Sequence, residues 1–188
     1  MLYLASGSKK RAELLRQAGY KFKIIVTGIT ERWNFTLSPE ENVKQLAYRK
    51  ALAAAEKIRE GTIIAADTIV VFGKHIVRKP RSKAHAIELL KSMRGKTQWV
   101  LTGVCLLDKR AGKCRLFCGK TLILCRRVPD SMIEEYVNSG RGMGRAGGYA
   151  VEGRNDKFVK ILKGSLTNVM GLPMGRIKRV YGPGSLES

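Results

Sequence analysis

An α/β fold, with a mixed central sheet and flanking helices, is what the sequence of this 188-residue chain predicts. Three observations carry that prediction. Short β-type runs alternate with amphipathic helical stretches from the first residues onward. Two long β-type runs, 97–107 and 114–126, are joined only by a polar turn from Lys109 to Gly112, which calls for an antiparallel hairpin. Hydrophobic residues make up 44%, enough for the core of one domain of this length.

In chain order, residues 2–5 read as a strand, and 9–18 as a helix turning Ala12, Leu14, Leu15 and Ala18 inward. Residues 22–26 alternate and predict a second strand. The segment SPEENVKQLAYRKALAAAEKI is the clearest helix. Ser38 stands at the N-cap, Pro39 at the first helical position and Glu41 where it completes a capping box. Its apolar face takes Val43, Leu46, Ala47, Ala51 and Ala54. TIIAADTIVVF is a β-rich run with an acid in its middle, and KHIV a short hairpin return. Residues 83–93 predict an amphipathic helix, and 130–138 another after the two long strands. A Gly-rich loop, Ser139 to Gly148, leads into strand-like pieces near 149–152, 157–162 and 167–171, with a short helix after Pro173. The folded domain is expected over 1–181. The tail 182–188, GPGSLES, carries no core signal and is expected to be a disordered, tag-derived end.

The charge balance narrows the partners. With 36 Lys plus Arg against 15 Asp plus Glu, the net charge of +21 implies an anionic partner, nucleic acid or a nucleoside triphosphate, or an organism with broadly basic proteins. The cations are spread along the chain and aromatics are 7%, which speaks against a dedicated nucleic-acid binder with stacking platforms. The apolar runs are too short and broken for a membrane span. Ser8 to Arg11 interrupts the apolar opening too early for a secretory leader, so a cytoplasmic location is expected. Cys105, Cys114, Cys118 and Cys125 show neither CxxC spacing nor a neighbouring histidine. They read as small buried hydrophobes in a reducing compartment rather than as a zinc site.

Several polar residues sit where structure alone gives little reason for them. Lys9, Lys10 and Arg11 follow Gly7 and Ser8 at a strand-to-helix turn, where the helix dipole disfavours cations. A docked anion removes that conflict, because backbone N–H groups and flanking cations together make a phosphate site. Asp67, between Ala65, Ala66 and Ile69, Val70, Val71, reads either as a structural acid with a private partner or as a strand-end base or metal ligand. Glu31, in TGITER, alone reads as a surface charge; beside Asp67 it supplies a second oxygen for Mg²⁺, which takes one or two carboxylates plus waters and phosphates. Lys50 borders the apolar stripe of its helix, and Lys79 is held extended by Pro80. Each cation alone reads as a surface charge; together with Lys10 and Arg11 they suit a triphosphate. No GxxxxGK[ST] stretch is present, which argues against a P-loop enzyme.

Ordered stretches of the chain resemble a known family. LASGSKKRAELL, TGITE, RKALAAA, AADTIV, KPRSKAHAIELL, TGV, GRAGGYAVEG and GSLTNVMGLP follow, in order, the motifs of the Maf-type nucleotide pyrophosphatases, from Leu2 to about Met174. The resemblance implies an inosine triphosphate pyrophosphatase-like fold with two lobes around a cleft. It implies metal-dependent hydrolysis, with Mg²⁺ or Mn²⁺, of nucleoside triphosphates to monophosphate and pyrophosphate. That activity serves as housekeeping against non-canonical nucleotides, with a link to arrest of cell division, and a homodimer is the candidate assembly. By the same resemblance Asp67 is the proton acceptor, Ser8, Arg11, Lys50 and Lys79 line the phosphate site, and Glu31 is a metal-side carboxylate. Lys10, Thr68 and Glu152 match positions that sort substrates: usually Arg, Thr and Gln in the branch acting on dTTP and UTP, and a bulky residue, Gln and Glu in the branch acting on 7-methyl-GTP. This chain is mixed, with Thr68 from the first pattern, Glu152 from the second and Lys10 in place of Arg. The expectation is a dTTP/UTP pyrophosphatase; the alternatives are a 7-methyl-GTP-type enzyme and a nucleic-acid-binding regulator that has lost catalysis.

Overall fold

The structure, a computed structural model, describes residues 1–182 apart from Arg78, Arg141, Glu152, Arg154 and Asn155. Its strands form a seven-stranded mixed sheet ordered β2 (Phe22–Ile24), β1 (Leu2–Ala5), β3 (Thr62–Phe72), β5 (Thr97–Asp108), β6 (Cys114–Cys125), β7 (Val159–Lys163), with β4 (His75–Val77) paired to β3 off that path. The chain divides into two compact units. One comprises Met1–Thr68, Leu101–Gly119 and the chain from Thr167; the other comprises Ile69–Val100 and Lys120–Leu166.

In the first unit, β1 (Leu2–Ala5) pairs in parallel with β2 (Phe22–Ile24) on one side and β3 (Thr62–Phe72) on the other, Leu2 facing Phe22 and Thr62, and Ala5 facing Ala65. Parallel neighbours need crossover connections, supplied by α1 (Lys9–Gln17) and α2 (Pro39–Ala55). One crossover steps from β1 to β2, the other back past β1 to β3, so a common right-handedness puts the helices on opposite faces. The core follows that rule. Leu4, Ile64, Ala66 and Leu106 pack with Ala12 and Leu15 of α1 and with Ile177 of α6 (Met174–Val180). Ala5, Ile63, Ala65 and Leu107 pack with Ala47, Ala51 and Ala54 of α2. Successive residues of β3 thus serve alternate faces. The alanine face of α2 brings it close to β5 (Thr97–Asp108). At Gly103 the two backbones come close: a Cβ there would stand 2.2 Å from the Val43 carbonyl oxygen.

Local signals set the helix starts. Ser8 and Ser38 accept bonds from the backbone N–H of Arg11 and Glu41. The Glu41 carboxylate, however, pairs with Lys44 rather than reaching back to Ser38. In the second unit, β3 turns into β4 (His75–Val77), Val70 facing Val77. Helices α3 (Lys83–Met93) and α4 (Asp130–Asn138) are joined by Lys91 and Arg94 on Asp130. There β6 (Cys114–Cys125) pairs antiparallel with β7 (Val159–Lys163), Ile123 facing Ile161.

Three expectations are corrected. Residues 149–151 form no strand: the Ala150 backbone N–H donates to the Tyr136 hydroxyl at 2.7 Å rather than to a neighbouring strand. The expected strand at 167–171 is instead a helical turn, α5 (Leu166–Val169), whose backbone bonds close locally from Gly171 N to Asn168 O and from Leu172 N to Thr167 O. Of the four cysteines only Cys105 and Cys125 are buried; Cys114 is exposed and Cys118 half-buried. Of the expected tail, 183–188 lie outside the described residues. Among the described residues no helix is long and apolar enough to cross a membrane.

Candidate active site

The order β2-β1-β3 makes the carboxyl ends of β1 and β3 a topological switch point, where the connections leave toward opposite faces. Open α/β sheets bind ligands at such points, because the diverging loops open a crevice there. In this chain the ends carry Ser6, Gly7 and Ser8 after β1, and Asp67 and Thr68 beyond the last β1–β3 pair at Ala5 and Ala65.

Alternation along β3 sends these two residues to different partners. Asp67, on the face that Ile63 and Ala65 share with α2, meets Lys50: its Oδ1 lies 2.6 Å from Lys50 Nζ. The same Nζ lies 2.6 Å from Glu31 Oε1. Lys50 and Asp67 are largely shielded, with side-chain exposures of 13% and 10%, whereas Glu31 is 55% exposed. The loop carrying Glu31 is tied to α2. Asn42 accepts from Asn34 N and donates to the carbonyls of Asn34, Leu37 and Ser38, and Arg49 donates to the carbonyls of Thr30 and Arg32. Asp67 Oδ2 carries no hydrogen bond among the described residues.

Thr68, on the other face, meets Arg11 of α1. The guanidinium donates from Nη2 to Thr68 Oγ1 (3.0 Å), from Nη1 to Ser6 Oγ (3.1 Å) and from Nε to the Gly171 carbonyl (3.0 Å). Burial pulls the Arg11 guanidinium below its ordinary value, while the charges of Asp67 and then Glu31 oppose that shift. Gly171, at φ 104°, is the residue that permits the contact, since a Cβ there would stand 3.0 Å from Arg11 Nε. The hydroxyl protons behind Thr68 can be placed. A carbonyl only accepts, so Thr102 Oγ1 donates to Asn168 O at 3.0 Å. Thr102 therefore accepts from Thr68 at 3.0 Å, and Thr68 turns a lone pair to Arg11.

A divalent cation fits this arrangement. Two carboxylates already converge on one cationic atom, Lys50 Nζ, and hard ions take one or two carboxylates with waters completing the shell. Among the described residues no group of three or more His, Cys, Asp or Glu gathers, so the donor set is not that of a closed structural metal site.

The sequence matches the Maf-like protein family over residues 1–181. The chain belongs to the Maf-like family. It is 38% identical to the dTTP/UTP pyrophosphatase of Pelotomaculum thermopropionicum, covering 94% of this chain and 92% of that one. It is 39% identical to the dTTP/UTP pyrophosphatase of Elusimicrobium minutum, covering 92% of each. Among solved structures, the Staphylococcus aureus Ham1 protein superposes with a TM-score of 0.45 at 17% identity, over 66% of this chain and 71% of that one.

Of the residues singled out in this Maf-like chain, the structure brings Ser8, Arg11, Glu31, Lys50, Asp67 and Thr68 together in the first unit. Lys10 is not among them: its ammonium pairs with Glu13, one turn along α1, at 3.0 Å. Lys79 is exposed and belongs to the second unit. Glu152 lies outside the described residues. Sequence reading missed Ser6, Asn42, Arg49, Thr102 and Gly171, which position the charged groups. Ser6, Arg49, Thr102 and Gly171 carried a signal, as parts of the LASGSKKRAELL, RKALAAA, TGV and GSLTNVMGLP stretches; Asn42 did not.

Proposed function

We propose that this Maf-like chain is a nucleoside triphosphate pyrophosphatase that hydrolyses dTTP and UTP to the monophosphate and pyrophosphate. The relatives at 35–39% identity that carry this name match it over nearly their whole length. The observation that carries the mechanism is the placement of Lys50 Nζ 2.6 Å from both Asp67 and Glu31 at the switch point. Lys50 holds Asp67 by Oδ1, which leaves Oδ2 to accept the proton of the water that attacks phosphorus. The bond between the α-phosphorus and its bridging oxygen breaks as the new P–O bond forms, and pyrophosphate leaves. Arg11 commits three of its five N–H groups to the protein, so one N–H on each terminal nitrogen remains for phosphate oxygens. Bound Mg²⁺ or Mn²⁺, held by Glu31 and Asp67, would supply neutralisation of the phosphate charge. Thr68 and Glu152 carry the choice of base. The same reading makes the enzyme a cytoplasmic homodimer.

The test is pyrophosphate release from dTTP, UTP, GTP and 7-methyl-GTP with Mg²⁺ and with Mn²⁺. Turnover is expected on dTTP and UTP, and Asp67→Asn should lower it by about 10²–10⁴-fold, the usual effect of losing a general base. An Asn variant within twofold of the wild type overturns the assignment of Asp67. Preferential turnover of 7-methyl-GTP overturns the base preference alone.

A further inference from the structure

Outside the site just described, the first unit contains a pair of sulfur atoms that the pyrophosphatase reading does not use. Cys105 of β5 and Cys114 at the start of β6 place their Sγ atoms 3.3 Å apart. The contact is held by the hairpin between them. Asp108 N donates to the Lys113 carbonyl at 2.9 Å, and Asp108 Oδ1 accepts from the backbone of Arg110 and Ala111. The two thiols differ in access. Cys105 is fully buried, packed with Ala47, Ala51 and Ala54, and burial raises its pKa, so it is a poor first nucleophile. Cys114 is exposed, between the exposed cations Lys113 and Arg115, with Lys109 and Arg110 in the adjoining turn. That setting draws a small anionic reagent to the exposed sulfur. Of the other two, Cys125 accepts from Gln98 and Cys118 donates to the Gly119 carbonyl.

We propose that Cys105 and Cys114 are a redox-active dithiol that closes to an intramolecular disulfide by exchange with a small anionic disulfide of the glutathione type. The Cys114 thiolate attacks one sulfur of the reagent, whose S–S bond breaks and releases one thiolate. The Cys105 thiol then gives up its proton, and its sulfur attacks Cys114 Sγ and expels the second small thiolate. Two protein thiols are oxidised to one disulfide, one small disulfide is reduced to two thiols, and the two cysteine protons end on the released thiols. The sulfurs need to approach by about 1.3 Å to reach bonding distance, and Cys114 is exposed.

The experiment incubates the fully reduced, full-length protein with glutathione disulfide, quenches by alkylation, and reads intact mass and cysteine peptides. The wild type is expected to lose two hydrogens in mass, to yield a linked Cys105–Cys114 peptide, and to recover both thiols with dithiothreitol. Cys105→Ser should stop at a glutathione adduct on Cys114, and Cys114→Ser should leave Cys105 as a free thiol. A wild type that ends as a stable Cys114 adduct, or whose linked peptide joins any other pair, overturns the proposal. So does a wild type that keeps all four thiols. Because the readout is covalent and mapped on the wild type, it stands whether or not either variant folds, and apart from the pyrophosphatase assay.

Discussion

Lys50→Met keeps most of the side-chain volume and removes the one charge on which Asp67 and Glu31 converge. The gross attraction across a 2.6 Å contact is about 6 kcal/mol at an effective dielectric constant of about 20. Desolvation cancels much of that, so the expected loss is the one that follows orphaning a buried partner, about 3 kcal/mol. It falls mainly on Asp67, whose side chain is 10% exposed. Glu31 is 55% exposed, and its contact contributes under about 1 kcal/mol because water screens it. Urea denaturation at pH 7, without metal or nucleotide, measures the loss free of any catalytic effect. Lys50→Met with Asp67→Asn should recover about 2 kcal/mol relative to the sum of the single changes, since the orphaned charge is gone. Glu31→Gln should cost under about 1 kcal/mol. If Lys50→Met costs no more than about 0.5 kcal/mol, the range of an ordinary surface change, the ammonium is not holding Asp67 and the arrangement of the site is wrong.

Thr102→Val removes the donor to Asn168 and the acceptor that orients Thr68. It should cost about 1–2 kcal/mol in urea denaturation, and it should raise the nucleotide KM more than it lowers kcat, because Thr68 is no longer oriented with a lone pair toward Arg11. Gly103→Ala should destabilise by about 2 kcal/mol or more, because the added methyl meets the Val43 backbone at 2.2 Å. Gly175→Ala in α6, where nothing lies within 4 Å, should leave stability unchanged or raise it by about 0.5–1 kcal/mol, and the pair of melting curves checks both. Glu152→Gln should shift kcat/KM toward dTTP and UTP over GTP by roughly tenfold, about 1.4 kcal/mol, because a Gln amide can donate to a pyrimidine carbonyl and an ionised carboxylate cannot. Competition kinetics with both nucleotides reads that ratio.

Local chemistry was enough for most of the elements and for singling out Arg11, Glu31, Lys50 and Asp67 as charges without an evident structural reason, but not for setting Lys10 and Lys79 apart from them. Ser38, Pro39 and the alanine periodicity determine α2, and the polar turn after Asp108 determines the long hairpin, because caps, turns and periods are properties of neighbouring residues. An acid inside TIIAADTIVVF is conspicuous without any structure. The strand expected at 167–171 failed because β propensity reports a fit to a neighbouring strand, and here the backbone closes on itself around Asn168. What tertiary structure alone decided is who meets whom. Asp67 and Thr68 are adjacent in sequence, yet one meets Lys50 and the other Arg11, because pleating alternates their directions and the two crossovers put α2 and α1 on opposite faces. Arg11 finds the Gly171 carbonyl 160 positions away, and Lys10, its neighbour, turns to Glu13 instead. Strand order and crossover handedness are global quantities, fixed only when distant segments pack, and no window of the sequence contains them.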